Sequence, residues 1–415
     1  MQESMRFGKN PTARLLSFLF GIGMAAFSVI TIKHFFDANY PLTIYEGGIC
    51  DINAFFNCDS SAHSILSQVA GVPLGYFGLV VGLLVSLGAL FHSNDFERTN
   101  RTLAFLNVLG VVTLFLVSVF ILKSLCLYCS GFYVFSILSL MVYWKYPASD
   151  GAQGFVAKYL RPSSMHLATY GVLTLVGAYG FALYHEARRD AQSGGVATRI
   201  VREFYSLPEV DWPSFISPLR TAQATENFED APIRIVEYAD LLCPDCRFLA
   251  EQMDRLKEEF DGQMNVAFQH FPLEGLCNGV VAKDLHPGAC EVAYIATYDP
   301  GKFKEIHDEV FANLRAARDP EWRLALAQRH GVEAALRDSA TINMVHRMIA
   351  TGAEYEKTSD QFEHGIRSTP TMIINGRMVI GTLPYDQLRA IFQALVDEYE
   401  RGEGSRFIEN WEPNR

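Results

Sequence analysis

The chain has 415 residues, room for two or three domains. A hydrophobic fraction of 49 % and a mean hydropathy of +0.10 are high for a soluble protein and low for one lying wholly in a bilayer, so a membrane part joined to a soluble part is expected. A formal net charge of −11 argues against a general nucleic-acid-binding surface and reads as a solvated acidic exterior.

Apolar stretches occupy the first half: roughly residues 15–32, 74–91, 103–122, 129–144 and 167–184. Each approaches the ~20 apolar residues that a helix needs to cross a bilayer. The fourth is short and has to begin at or before Cys126. The first is long and shows no clear cleavage site, so it reads as a span rather than a cleaved signal peptide. Arg6, Lys9, Arg14, Arg98, Arg101, Lys145, Lys158 and Arg161 then fall on one side, against Lys33 and Lys123 on the other. Cytoplasmic loops collect Lys and Arg. The expectation is a multi-pass protein of the bacterial inner membrane with a cytoplasmic N-terminus and everything past Tyr184 outside the cytoplasm.

The eight cysteines form local pairs: Cys50 with Cys58, Cys126 with Cys129, Cys243 with Cys246, and Cys277 with Cys290. On this topology every pair faces the oxidising side, where disulfides persist. Residues 185–199 are charged and rich in small side chains, and read as a linker or an exposed helix. From about Pro232 an α/β pattern begins. "IRIVEYAD" and "MNVAFQHFPL" read as strands, and "CPDCRFLAEQMDRLKEEF" opens a helix between them. Residues 288–362 read as helical, "TMIINGRMVIG" as a hairpin turning at Asn375-Gly376, and 384–401 as a last amphipathic helix.

Cys243-Pro244-Asp245-Cys246 stands where a strand gives way to a helix. A helix N-terminus has unpaired N–H groups and a partial positive charge, which favour a thiolate. Only a thiolate attacks a disulfide. Cys243 is expected to be the exposed attacking sulfur and Cys246 the resolving one, while the charge of Asp245 works against the thiolate and makes a milder oxidant. A CxxC can equally be half of a zinc site. This one follows a strand, opens a helix and has a companion in Thr369-Pro370-Thr371. Those features resemble the thioredoxin superfamily, whose members set a cis-proline beside the active disulfide. The helical stretch between the two motifs resembles the DsbA-like branch, over about residues 232–401. Cys277 and Cys290 read as a structural disulfide clamping a loop, or alternatively as a second, regulatory redox pair. His63, His270, His286 and His307 read as solvated or core histidines rather than ligands.

Cys126-Leu127-Tyr128-Cys129 opens a span, with Cys50 and Cys58 in the preceding external loop. Small hydrophobes in the bilayer, or a set of zinc ligands, are the other readings. Four spans, two loop cysteines, "GVPLGYFG" (residues 71–78) opening the second span and a CxxC opening the fourth are similar to the vitamin K epoxide reductase family. Its bacterial members are often fused through a fifth span to a thioredoxin-like domain. The resemblance implies a four-helix transmembrane domain over residues 1–160, a fifth span and linker over 161–230, and an α/β thioredoxin-fold domain with a helical insertion over 231–415.

It also implies roles. Cys50 would exchange with Cys243, Cys58 would pass electrons to Cys126, and Cys129 would face a quinone of the ubiquinone, menaquinone or phylloquinone type. Pro73, Leu74 and Tyr133 would contact that quinone, Tyr133 as a hydrogen-bond donor one turn beyond Cys129 or else as an interfacial anchor. Gly71 stands about where some relatives carry a hydrogen-bonding Asn. The implied activity is oxidation of secreted or periplasmic protein thiols, with electrons passing to the membrane quinone pool and no metal or nucleic acid involved. A disulfide isomerase or reductase with reversed flow, and a redox-inert chaperone module on a membrane anchor, are the alternatives.

Overall fold

The structure is a computed structural model and describes residues 5–39, 59–62, 64–122, 125–281, 284–355, 365–402, 407–408 and 411. Cys50, Cys58 and His63 lie outside the described residues. The described residues up to Asp190 form one compact unit and those from Ala191 onward a second.

The first unit is helical: α1 (Pro11–Asn39), α2 (Leu74–Leu90), α3 (Asn94–Leu116), α4 (Leu127–Lys145) and the start of α5 (Ser164–Ser206). A π-helical turn, Val117–Leu122, continues α3. Pro11–Asn39, Asn94–Phe120, Leu127–Lys145 and Ser164–Ala187 are long and apolar enough to cross a bilayer. The stretch expected as a span over 74–91 is a shorter apolar helix of 17 residues, about 26 Å against the ~30 Å of a bilayer's hydrocarbon core. Leu106, Leu109, Val112, Phe115 and Phe120 project outward and are exposed, as in a surface that meets lipid tails instead of water. Inside, α1 and α2 approach closely at glycines. A Cβ on Gly82 would stand 2.8 Å from both the Ala25 nitrogen and the Gly21 carbonyl oxygen, so only glycine fits.

Arg98 and Arg101, expected as loop charges, are residues of α3. Arg101 is fully buried, its Nη2 2.7 Å from Glu97, and it also donates to the Tyr143 and Tyr146 carbonyls. The rings of Phe7 and Tyr143 lie 5.8 and 5.2 Å from the guanidinium carbon. Glu97 also holds His92 at 3.0 Å, while Arg98 sits 3.5 Å from Asp150. Both arginines therefore have carboxylate partners.

The second unit is built on a five-stranded sheet in the order β1-β3-β2-β4-β5. Its strands are β1 (Arg220–Gln223), β2 (Ile233–Ala239), β3 (Met264–His270), β4 (Thr371–Ile374) and β5 (Arg377–Ile380). β2 and β3 are parallel, joined by α6 (Pro244–Glu259), and the other pairings are antiparallel. β1 was not expected: Arg-Thr-Ala-Gln is short and gives no alternation strong enough to mark a strand. β4 and β5 form the expected hairpin, with positive φ at Asn375 (44°) and Gly376 (79°). Between β3 and β4 lie α7 (Ala289–Thr297), α8 (Phe303–Ala312), α9 (Pro320–His330) and α10 (Ser339–Thr351), which divide the stretch expected to be helical. α11 (Tyr385–Arg401) closes the fold against β2 and α6 through Leu388, Ile391, Phe392 and Leu395. Residues 185–199 are helix rather than linker, and α5 ends with Ile200, Val201 and Phe204 inside this unit's core.

Candidate functional site

In the first unit, Cys126 occupies the N-cap of α4. Its backbone is extended and its sulfur accepts the Cys129 N–H at 3.2 Å, the capping bond that a Ser or Asp would make elsewhere. Cys129 lies one turn on, and Tyr133 a further turn along the same face. All three line a cavity of about 280 Å³ enclosed by α1, α2, α3 and α4. Pro73 and Leu74 line it as well, at the start of α2, so the cavity gathers every described residue expected around a quinone in this unit. Gly71 is not among the lining residues.

The walls are mainly apolar, from Phe35, Phe77, Val81, Val111, Leu114 and Phe132. The polar groups are few, as in sites that hold a flat, mostly apolar ligand by one or two directed hydrogen bonds. Tyr133 and Ser118 both line the cavity. Three polar groups were missed from sequence. Ser61 Oγ, Ser28 Oγ and Asn107 Nδ2 are buried here with no hydrogen-bond partner among the described residues. Asn107 was legible: it interrupts an apolar run, and Gly110, Val111 and Leu114 repeat its face at helical spacing. Buried donors without acceptors are costly. A quinone carbonyl is an acceptor, and the cavity's size, apolar walls and phenol donor beside a thiol fit such a ring. Among the described residues, no cluster of His, Cys, Asp and Glu is arranged to hold a metal ion.

In the second unit, Cys243 caps α6, with Pro244 at the first helical position, where its missing N–H leaves no helical bond unmade. The Thr369–Pro370 peptide is cis. The Cys243 thiol donates to the Thr369 carbonyl at 3.5 Å, so the two motifs meet. Cys243 is not the exposed sulfur expected: it is 3 % exposed, because the 240–242 turn and the 368–370 segment crowd it. Cys246 is fully buried, and burial followed by its hydrogen bond with Cys243 raises its thiol well above the ordinary range. Cys277 and Cys290 form a disulfide.

The three histidines of this domain named above are all buried. His270 and His307 pack among Phe268, Phe303 and Phe311, and burial lowers His270 to about 3 and His307 below its usual value. His286 differs, because its Nδ1 lies 2.8 Å from Asp240 Oδ2. Burial opposes its charge, but Asp240 overrides that and raises its pKa. Asp240 itself is buried and accepts the Leu242 and Leu273 N–H groups at 2.7 and 2.8 Å. Its carbonyl accepts the Cys243 N–H at 3.0 Å. Sequence reasoning missed this pair, since 46 residues separate its members. On β2, Glu237 is buried, and desolvation raises its carboxyl to about 7.

Comparison with known proteins agrees with this division. Residues 14–144 match the profile described as "Vitamin K epoxide reductase family", and residues 228–394 match one described as "Thioredoxin". The chain is 28 % identical over 255 residues to "Na(+)/H(+) antiporter NhaA 1" of Mycolicibacterium gilvum, covering 59 % of this chain and 35 % of that protein. It is 33 % identical over 105 residues to "Probable disulfide bond formation protein D" of Bacillus cereus, covering 25 % of this chain and 45 % of that one. The chain thus spans about a third to under half the length of these relatives. Among solved structures, BdbD from Bacillus subtilis in its oxidised form is 17 % identical, with a TM-score of 0.35, over 46 % of this chain and 99 % of that one. Wolbachia pipientis α-DsbA1 is 16 % identical, with a TM-score of 0.34, over 42 % and 90 %. The chain carries a domain of the vitamin K epoxide reductase family at its N-terminus, followed by a thioredoxin-like domain.

Proposed function

From a chain that joins these two domains, we propose a membrane-bound thiol–disulfide oxidoreductase that oxidises protein thiols outside the cytoplasm and delivers the electrons to a membrane quinone. The observation that carries the reading is the cavity in which Cys126, Cys129 and Tyr133 share one face of α4 with apolar walls around them.

The steps balance as exchanges of sulfur for sulfur. A substrate thiolate attacks the Cys243–Cys246 disulfide, and the second substrate thiol displaces Cys243. The substrate leaves with a disulfide and the domain holds two thiols. Cys243 then attacks the Cys50–Cys58 disulfide, and Cys246 resolves the mixed disulfide. Cys58 passes the pair of electrons to Cys126–Cys129 in the same way. A quinone supplies an acceptor of two electrons and two protons. Cys129 and Tyr133 would orient it, Pro73 and Leu74 would line its place in the cavity, and the apolar walls would exclude water. The Cys277–Cys290 disulfide holds the loop between its members and takes no part in the relay. Positive charge at Arg6, Lys9, Arg14, Lys145, Lys158 and Arg161 supports a cytoplasmic N-terminus and an extracytoplasmic thioredoxin-like domain.

The test is reconstitution with a quinone and a reduced cysteine peptide, following quinol formation. Wild type should turn over, and Cys50→Ala, Cys126→Ala, Cys129→Ala and Cys243→Ala should each stall. Wild-type rates in Cys50→Ala or Cys126→Ala would show that the pairs are not wired in series. Reversed flow predicts instead that quinol drives reduction of an oxidised peptide.

A further inference from the structure

Two asparagines of α3 lie seven residues apart, two turns along one face. The first, Asn100, donates through Nδ2 to the Leu84 carbonyl of α2 at 2.9 Å and so ties two helices together. Thr99, Thr102 and Thr113 each donate to the carbonyl four residues earlier on their own helix, at 2.9, 3.2 and 3.0 Å. The second asparagine, Asn107, does neither: its Nδ2 is buried with no partner among the described residues. Such a donor is costly to bury unmet, the more so in mid-span, where no water stands by.

Two further observations put this amide at a ligand site. Asn107 lines the cavity that also holds Cys126, Cys129 and Tyr133, and so does Gly110, one turn on. A Cβ built at Gly110 meets nothing within 4 Å. A helical side chain leans back over the turn before its own Cα, so a larger residue at 110 would extend towards Asn107. Glycine leaves the space beside the amide open. The α3 wall of the cavity runs from Asn107 to Ser118, about 16 Å along the helix. Ser118 lies in the turn that leads to Cys126, so Asn107 marks the end of the cavity away from the CxxC. The two orphaned hydroxyls differ from it. Ser28 Oγ stands 2.8 Å from where a Cβ on Gly78 would be, so a small residue suits the crossing of α1 and α2. Ser61 belongs to the short helical turn Asp59–Ala62, beside residues outside the described ones.

We propose that Asn107 is a ligand-binding residue of this cavity, donating a hydrogen bond from Nδ2 to an oxygen atom at the end of the quinone away from Cys129. The inference rests on the reading of the cavity as a quinone site. The oxygen belongs to a ring carbonyl or to a ring alkoxy group. Both are acceptors, but every quinone has the carbonyl, whereas the alkoxy group belongs to the ubiquinone type. A donor towards each end of the cavity, Tyr133 and Asn107, fixes the rotation of the ring as well as its depth.

The experiment measures binding, not turnover, on the full-length oxidised protein in detergent. Two quinones with shortened tails are used, a ubiquinone type bearing methoxy groups and a menaquinone type without them. Equilibrium dialysis gives Kd, and infrared difference spectra of the bound quinone give its C=O bands. Asn107→Leu keeps the volume and removes the donor, and Kd should rise about fivefold. A loss with both quinones, with a C=O band moving to higher frequency, assigns the bond to a carbonyl. A loss confined to the methoxy-bearing quinone, with the bands unmoved, assigns it to the alkoxy oxygen. Unchanged Kd and bands with both quinones, in a variant that melts like wild type, overturn the proposal. Should Asn107→Leu not fold, Gly110→Leu decides, because its side chain enters open space: either of the two patterns upholds the proposal, and wild-type affinity and bands overturn it. Failure of the wild type to bind either quinone would overturn the quinone reading of the cavity and this inference with it.

Discussion

Cys129 and Tyr133 stand four residues apart on α4 and open into the same cavity, a thiol and a phenol on one face of one helix. Replacing Tyr133 by Phe keeps the ring and removes the O–H. A neutral hydrogen bond contributes about 1 kcal/mol, so the KM for quinone should rise about fivefold. Peptide oxidation by a pre-oxidised Cys243–Cys246 pair, in a single turnover without quinone, should be unchanged. An unaltered KM would leave Tyr133 as an interfacial anchor only.

Glu237 carries its carboxyl in the core, raised by desolvation to about 7 from the 4.5 of a free group. The folded state therefore prefers the protonated acid. Stability on this account is full below pH 4.5 and falls as pH rises through about 7. Glu237→Gln removes that loss and should be more stable than wild type at pH 8, by up to about 3 kcal/mol, with the gap closing towards pH 5. Melting temperatures of both proteins across this range check it. A gap independent of pH would contradict the assignment.

Cys277 and Cys290 close a loop with a sequence separation of 13. Cross-linking a loop of that size restricts the unfolded chain and contributes about 3 kcal/mol. The double change Cys277→Ser and Cys290→Ser should lower stability by that order in urea unfolding followed by the thioredoxin-like domain's signal. Loss of quinone reduction without loss of stability would assign the pair to the relay instead.

Arg101 and Glu97 are buried together, so removing Arg101 takes the fully buried guanidinium from Glu97 and leaves that carboxylate, among the described residues, only His92 and the Ser149 N–H. Arg101→Met should destabilise the membrane domain by about 3–5 kcal/mol. Adding Glu97→Gln should restore part of that loss. Thermal unfolding in detergent distinguishes the two variants. A double variant no better than the single one would show that the carbonyls of Tyr143 and Tyr146, not Glu97, are what Arg101 chiefly serves.

The features legible in sequence were those whose signal is local. Apolar runs gave α1, α3, α4 and α5 because lipid-facing helices are apolar nearly all round. Asn375-Gly376 gave the β4–β5 turn because few residue pairs tolerate positive φ at both positions. The two CxxC motifs gave their own placement at helix starts. The features that stayed hidden depend on partners distant in the chain. β1 is a strand because β3 offers it an edge, not because Arg-Thr-Ala-Gln prefers one. Arg101 looked like a loop charge because nothing nearby in sequence announces that Phe7 and Tyr143 will enclose it. His286 looked like an ordinary core histidine because Asp240 is remote along the chain. Asn107 is the exception, since its helical face was there to be read.

The Cys277–Cys290 bond and the Cys243–Cys246 pair share one small domain, and His286 sits in the loop that the first of them closes. The domain thus asks opposite things of its sulfurs: one pair is joined and keeps a loop in place, while the other, in the relay proposed above, opens and closes repeatedly. Cys290 is fully buried, with its sulfur 3.7 Å from the Glu274 carbonyl, and Cys246 is fully buried behind Cys243. In the folded domain each pair keeps its inner sulfur out of reach. Sorting the two pairs correctly is therefore a task for the folding chain, and a newly made copy that joins Cys243 to Cys277 would lock away the proposed nucleophile and release the loop bearing His286 in a single error.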